Sequence, residues 1–514
     1  MRRILPIRRG SRGSTLILVL MMVPLFLIPL VGLAIDGTML FIVQAKLSSA
    51  ADGAVLGAGR LLGTTANTTE IAGEFLNVNF PAGYWGSSNL QSNITSTDSL
   101  GTHTIAITAS VQVPLLFMRV LGQSASTVAA TATATRRDTR VVLVLDRSGS
   151  MNNTDPISGL NVCTTMLSSA EEFTGMFTPG TDELGLVVLQ GSALVAYPET
   201  RPYDNSPASA GGPDTNFATS STAGPMFTQI SSIVCGGGTA TPEALSLAYI
   251  ELQKAHNRDL SNNGVDDDMN SIVLFTDGVA DSIAVSPNSS QSPQISVISN
   301  SSGCTYKSTT NTADTMMGWM AAPGSPPSWG TSQGLYRLSA YDNSRTLTSW
   351  LQNPTADETE SLPTAALSGC SQLGNNNSNF TLGNLTKIPP FDIYGNSTTG
   401  NAYINSSLDY NGTSYNPNSP TSGYQVALAA WNATDNVGQT IRSQNSMGPI
   451  TIYTIGYTGN GGTDAALLKR LANTQDSTSY NPSQQTGLYI QVNSADQLSS
   501  AFMAVASSML RLSK

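Results

Sequence analysis

Apolar positions fall along this chain in three regimes, and each predicts a different kind of element. From Thr15 to Ile35 (TLILVLMMVPLFLIPLVGLAI) nearly every residue is apolar, and none from Gly13 to Ile35 is charged. At about 1.5 Å per residue the run spans the roughly 30 Å hydrocarbon core of a bilayer. A cleaved signal peptide has a shorter apolar core, about 7–15 residues, ending at an A-x-A-like site. Here Asp36-Gly37-Thr38-Met39-Leu40 follows and offers none. The run therefore reads as a retained anchor, kinked at Pro24 and Pro29, which a membrane helix tolerates. Apolar spacing continues through Leu40, Val43, Leu47, Ala50, Ala51, Ala54 and Val55, so the helix is expected to extend beyond the bilayer.

The second regime is alternation. His103–Val113 (HTIAITASVQV) places Ile105, Ile107, Ala109, Val111 and Val113 on one face, a half-buried strand, and Ser126–Thr135 alternates again. Pro114–Gly122 (PLLFMRVLG) is a short apolar connection between them, while residues 62–100 are polar and turn-rich without a period. These pieces predict a small strand-containing domain over 62–137. The third regime is a set of continuous apolar runs: Val141–Leu145 (VVLVL), Gly185–Leu189 (GLVVL), Ser271–Phe275 (SIVLF) and Ile450–Ile455 (ITIYTI). Strands buried on both faces look like this. Helical stretches near 159–177, 241–256, 422–444, 464–473 and 495–511 lie between and after them. Alternating strands and helices predict an α/β, doubly wound, mostly parallel sheet over 138–514. Residues 282–421, crowded with Asn, Ser, Thr, Gly and Pro, carry no buried-strand run and read as an insertion. It keeps Trp319, Trp329 and Trp350 and two cysteines, which points to structure of its own.

Composition sets the compartment. Charged residues are 11% of the chain, against roughly 25% in an average soluble protein. Net charge is −10, although Arg2, Arg3, Arg8, Arg9 and Arg12 all precede the apolar run, so the remainder is more acidic still. An acidic body repels phosphate backbones and excludes a nucleic-acid role. The arginines ahead of the span place residues 1–12 in the cytoplasm as a basic tail, 13–61 as anchor and helical extension, and everything from about Asp36 outside. Exported cysteines read as disulfides. Cys163, Cys235, Cys304 and Cys370 allow three connectivities, of which neighbourhood favours Cys163 with Cys235 and Cys304 with Cys370. Having only His103 and His256 excludes a histidine-rich zinc site, and the lack of a CxxC pattern argues against structural zinc.

Candidate chemistry gathers at the ends of the buried strands. VVLVL runs into Asp146-Arg147-Ser148-Gly149-Ser150, a D-x-S-x-S turn whose carboxylate and hydroxyls suit a hard cation, Mg²⁺ or Ca²⁺. Cys235-Gly-Gly-Gly-Thr239 presents a hydroxyl just before a helix, and SIVLF ends in Thr276-Asp277-Gly278. In an open parallel sheet, ligands bind beyond the carboxyl ends of the strands, where these loops can meet. Asp259-x-Ser261-x-Asn263-Gly264, followed by Asp266-Asp267-Asp268, is half of a calcium loop. Its twelfth position is Asn270 rather than a bidentate Glu, so it reads as a solvated acidic loop.

D-x-S-G-S at 146–150, GGT at 237–239 and FTDG at 275–278, in this order, resemble the von Willebrand factor A (vWA) domain with its metal-ion-dependent adhesion site, a Rossmann-like fold. The resemblance implies that Asp146, Ser148 and Ser150 hold the ion, with Thr239 joining directly or through water and Asp277 contributing directly or as an acceptor behind the ligands. It also implies an open coordination position for a carboxylate from a protein partner. Separately, LAIDGTMLFIVQAKLSSAADGAVLGAGRL after an Arg-rich start and an apolar span resembles the N-terminus of TadE/TadG-like Flp pilus-assembly proteins, with Gln44, Leu47, Ala50, Ala51 and Asp52 standing as Q-x-x-L-x-x-A-A-D. The following strand, PLLFMRVLG and second strand resemble that family's small domain.

Together the resemblances imply a non-enzymatic, single-pass inner-membrane component of tight-adherence pilus assembly, its bulk periplasmic or at the cell surface, with other assembly components as partners. The alternative is a surface-displayed vWA adhesin for host or matrix ligands. A serine hydrolase is disfavoured, because Ser148 and Ser150 lack a G-x-S-x-G context and an evident histidine.

Overall fold

A computed structural model describes residues 19–63, 66–99, 101–200, 203–286, 423–459 and 462–510, with short pieces between 305 and 416. The basic tail, Cys304 and Cys370 lie outside the described residues. The chain divides into two units, Met1–Arg136 and Arg137–Arg511.

In the first unit a long helix, α1 (Ile28–Gly59), is preceded by a π-helical turn at Val23–Leu27. The prolines are the reason: each lacks the N–H that a regular turn would use, and the wider turn absorbs the mismatch. Up to Ile35 the described side chains are mostly exposed, Leu20 at 72% and Leu30 at 69%. Among the described residues one helix, α1, is long and apolar enough to cross a membrane. Farther along, Met39, Val43, Leu47, Ala50, Ala51, Ala54, Val55 and Ala58 make a buried stripe at helical spacing. The stripe packs on α2 (Thr68–Asn79) and on the inward face of a three-stranded sheet, β1 (Ser88–Ser99), β2 (Thr102–Pro114) and β3 (Ala125–Arg137), in that order. The helical extension and residues 68–136 thus share one core rather than forming separate domains. Both α2 and β1 fall in the stretch that the sequence left without a period.

The second unit is built on a six-stranded sheet. Its strands are β4 (Thr139–Asp146), β5 (Glu183–Leu189), β6 (Ala193–Tyr197), β7 (Met269–Thr276), β8 (Ile450–Tyr457) and β9 (Tyr489–Val492), in the spatial order β9-β8-β7-β4-β5-β6. All neighbours are parallel except β5 and β6. This is the doubly wound α/β architecture expected. Every residue of β4 and β5 is buried, which is why their sequences are continuous apolar runs. The helices are α3 (Val162–Thr174), α4 (Pro225–Ser231), α5 (Thr241–Asn263), α6 (Leu347–Gln352), α7 (Gly423–Ser443), α8 (Ala465–Leu471) and α9 (Leu498–Met509). Their ends follow local chemistry. The Asn161 side chain accepts from Thr164 N at the start of α3, α5 opens on Thr-Pro-Glu, and Gly264 ends α5 at φ 75°.

Residues 282–421 show no buried-strand run in sequence and read as an insertion with structure of its own, and part of that structure is a small sheet. Ser282–Ser286 buries Ile283 and Val285 and pairs with Gly318–Ala321 on one side and Phe391–Asp392 on the other; Gln333–Tyr336 completes a four-stranded sheet. These strands are too short to stand out in a polar composition.

The acidic loop at 259–268 also differs from its reading. Arg140, fully buried at the start of β4, reaches Glu183 at 2.6 Å, Asp268 at 2.7 Å and Asp266 at 3.0 Å, and pairs with Asp259 as well. Oxygens of Glu183, Asp259 and Asp268 lie within 4.8 Å of one another. The cation they enclose is this guanidinium. Strand register sets the clamp, because Arg140 stands opposite Glu183 on β5 and Asn270 on β7.

Candidate metal centre

Chain order after β4 runs to β5 and β6 on one side of the sheet, then crosses to β7 on the other. The carboxyl ends of the adjacent strands β4 and β7 therefore flank the switch point, where an open α/β sheet leaves a crevice. Asp146 is the last residue of β4 and Asp277 immediately follows β7.

The structure brings all five predicted side chains to this crevice. Ser150 Oγ donates to Asp277 Oδ1 at 2.6 Å and Ser148 Oγ to the same oxygen at 3.2 Å, while the two hydroxyls stand 3.0 Å apart. The Asp146 carboxylate accepts from Ser148 N at 2.8 Å through one oxygen and from Thr276 Oγ1 at 2.6 Å through the other. Thr239 stands beside them: a Cβ placed on Gly278 would lie 3.1 Å from Thr239 Oγ1 and 3.8 Å from Asp146 Oδ2. Asp146 and Asp277 are 0% and 1% exposed. Burial, and then the charge of Asp277, push the Asp146 carboxyl well above the ordinary carboxylate range. Two buried acids facing one another in this way call for a proton or a cation between them.

Residues the sequence reading passed over hold the loops in place. Gly149 N donates to Gly237 O at 2.8 Å and Gly236 N to Arg147 O at 2.6 Å, so the glycine loop is tied to the D-x-S-x-S turn along its backbone. Asp281 accepts from Thr239 N at 2.6 Å. The Cys163–Cys235 disulfide fastens the same loop to the first turn of α3. Arg147 is buried with its guanidinium 3.7 Å above the Trp350 ring, and it donates to Leu351 O at 2.7 Å. Pro354 covers Gly236, where a Cβ would meet its ring at 2.8 Å. A described piece of the insertion, 345–354, is thus seated on the loops that form the crevice. Arg147 is the unspecified x of D-x-S-x-S, so only its burial reveals this role. Asp281 has a weak signal, lying four residues beyond Asp277.

The donors present suit a hard divalent ion: two carboxylates and three hydroxyls, with no thiolate or imidazole among them. The two described histidines are engaged elsewhere. His103 Nδ1 is 2.8 Å from Asp98, and His256 Nδ1 is 2.5 Å from Asp266. His256 follows Thr241, at the crevice end of α5, by fifteen residues, about 22 Å along the helix.

Residues 13–61 match the family of putative Flp pilus-assembly TadE/G-like proteins. No curated protein matches the chain. Similar solved structures include the PilB minor pilin from Streptococcus sanguinis, 12% identical, covering 82% of this chain and 78% of that one with a TM-score of 0.34. The vWF domain of the type V pili tip protein Mfa5 from Porphyromonas gingivalis is 16% identical, covering 74% of this chain and 98% of that one, with a TM-score of 0.32. A von Willebrand factor type A protein from Catenulispora acidiphila is 10% identical, covering 82% and 50%, with a TM-score of 0.31.

Proposed function

We propose that this protein is a non-enzymatic component of Flp pilus assembly, held in the bacterial inner membrane by the apolar helix with its basic tail in the cytoplasm. Its second unit binds Mg²⁺ or Ca²⁺ through Asp146, Ser148, Ser150, Thr239 and Asp277 and recruits a protein partner there. When bound, such an ion supplies positive charge incompletely neutralised by hydroxyl ligands, which favours a carboxylate from outside. The chain's own part is to pre-position the donors. Thr276 and Ser148 N orient Asp146, the hydroxyls of Ser148 and Ser150 lean on Asp277, and Asp281 holds Thr239. The observation that carries the reading is the convergence of two buried carboxylates and three hydroxyls from three loops. The family match at residues 13–61 supports the pilus context.

Melting of the detergent-solubilised full chain in EDTA, Mg²⁺ or Ca²⁺, beside Asp146→Ala, tests it. An ion bound by the folded state raises the midpoint by roughly RT ln(1 + [L]/Kd) in free energy. The rise should vanish in Asp146→Ala; no rise with either ion in the wild type would refute the metal centre. The adhesin reading draws on a different observation, the insertion segment seated beside the crevice. Protease treatment of intact cells separates the two, since a periplasmic domain is protected and a displayed one is cut.

A further inference from the structure

We propose that the Pro114–Gly122 loop is a second membrane contact, inserted into the outer lipid interface beside the helix. The inference rests on the anchor reading above and on how this loop meets α1. Gly32 and Asp36 stand one helical turn apart on a single face of α1. A Cβ on Gly32 would fall 2.5 Å from Phe117 Cβ, so the Phe117 side chain lies directly on bare helix backbone. Gly32 belongs to the apolar run, three residues and about 4.5 Å inside its outer end at Ile35. If that run fills the hydrocarbon, Phe117 sits at its boundary, and the depth of the loop follows.

The loop is built for that position. Leu116 is 59% exposed and Val120 is 86% exposed, alongside an exposed Arg119 suited to lipid phosphates. Irregular backbone survives at membrane depth only when its polar groups are satisfied from within the protein. Asp36, 1% exposed, accepts from Leu116 N at 2.9 Å, Phe117 N at 3.0 Å and Met118 N at 2.8 Å. Val120 N and Gly122 N donate to Phe117 O and Arg119 O. Apolar side chains thus point outward from a backbone whose donors at 115–118, 120 and 122 are spent within the protein. Lipid asks for that combination and water does not.

The test places a fluorescent noncanonical residue at Val120, at Phe26 in the apolar helix, or at Thr97 in the full chain. Thr97 is exposed and pairs with Thr104, ten residues and about 33 Å along β2 from Pro114. Each protein is reconstituted in phosphatidylethanolamine–phosphatidylglycerol vesicles containing lipids brominated at shallow or deep acyl positions. The Val120 probe should be quenched at least twofold more by shallow than by deep bromines, with Phe26 quenched and Thr97 unaffected. A quenched Phe26 with Val120 behaving like Thr97 overturns the loop proposal and leaves the anchor standing, whether water or a protein covers the loop. An unquenched Phe26 overturns the anchor and the loop together.

Discussion

Asp155 shows how much a single carboxylate can carry. It accepts from Ser158 N at 2.7 Å, Tyr457 OH at 2.7 Å, Ser494 Oγ at 2.8 Å and Ala495 N at 3.1 Å, and from the Ser158 hydroxyl. Burial opposes its ionisation, but these donors outweigh it and hold the carboxyl well below its ordinary 3.8. A lowered folded value contributes stability that is present above about pH 4 and lost as pH falls through it. Asp155→Ala should therefore cost about 2–4 kcal/mol at pH 7 in denaturant titration, and its deficit should shrink toward pH 3. Asp268 has the opposite sign. Burial, and then the charges of Glu183, Asp266 and Asp138 against the pull of Arg140, push it up to about 7. Its contribution is full at low pH and lost as pH rises from about 4 to 7. Asp268→Asn should flatten the decline of Tm between about pH 4 and 7. The convergence of Asp146, Ser148, Ser150 and Asp277 was legible because each ends or follows a strand whose apolar run is unmistakable. The Arg140 clamp was not, because its carboxylates are brought to the guanidinium by strand register and a folded loop, and neither is visible in spacing.

At the scale of elements, legibility tracks burial. β4, β5, β7 and β8 are buried almost throughout and announce themselves, whereas β1 is exposed at ten of its twelve positions and reads as loop. α2 did leave a signal: Asn67 accepts from Glu70 N and donates to Glu70 Oε2, an Asn-Thr-Thr-Glu version of the capping box. The glycine loop has little secondary structure to hold it and depends on its ties. The Cys163–Cys235 bond closes a separation of 72 residues. Replacing both cysteines by serine should cost about 2–4 kcal/mol. It should also weaken Mg²⁺ or Ca²⁺ binding, measured calorimetrically, because Thr239 would lose its tether; unchanged affinity would show that the backbone bonds alone suffice.

For the molecule as a whole, two separate hydrophobic cores predict two responses. One gathers the α1 stripe with β2 and β3, and the other gathers β4, β5, β7 and β8 with their helices. In calorimetry, EDTA or Asp146→Ala should move the transition of the larger unit and leave that of the smaller one in place. β3 ends at Arg137 and β4 begins at Thr139, so a single residue, Asp138, joins the two strands. β4 is also the strand that delivers Asp146 to the crevice, with β5 and β7 hydrogen-bonded along its two edges. Under the proposed function, with a partner at the crevice and the N-terminus held in the membrane, tension would enter β4 at Thr139 and leave it at Asp146, over about 26 Å of strand. That load runs along the covalent backbone of β4, and only the share reaching Asp277 has to shear the β4–β7 ladder as a whole instead of peeling it bond by bond, so β4 would serve as the tension member of the molecule.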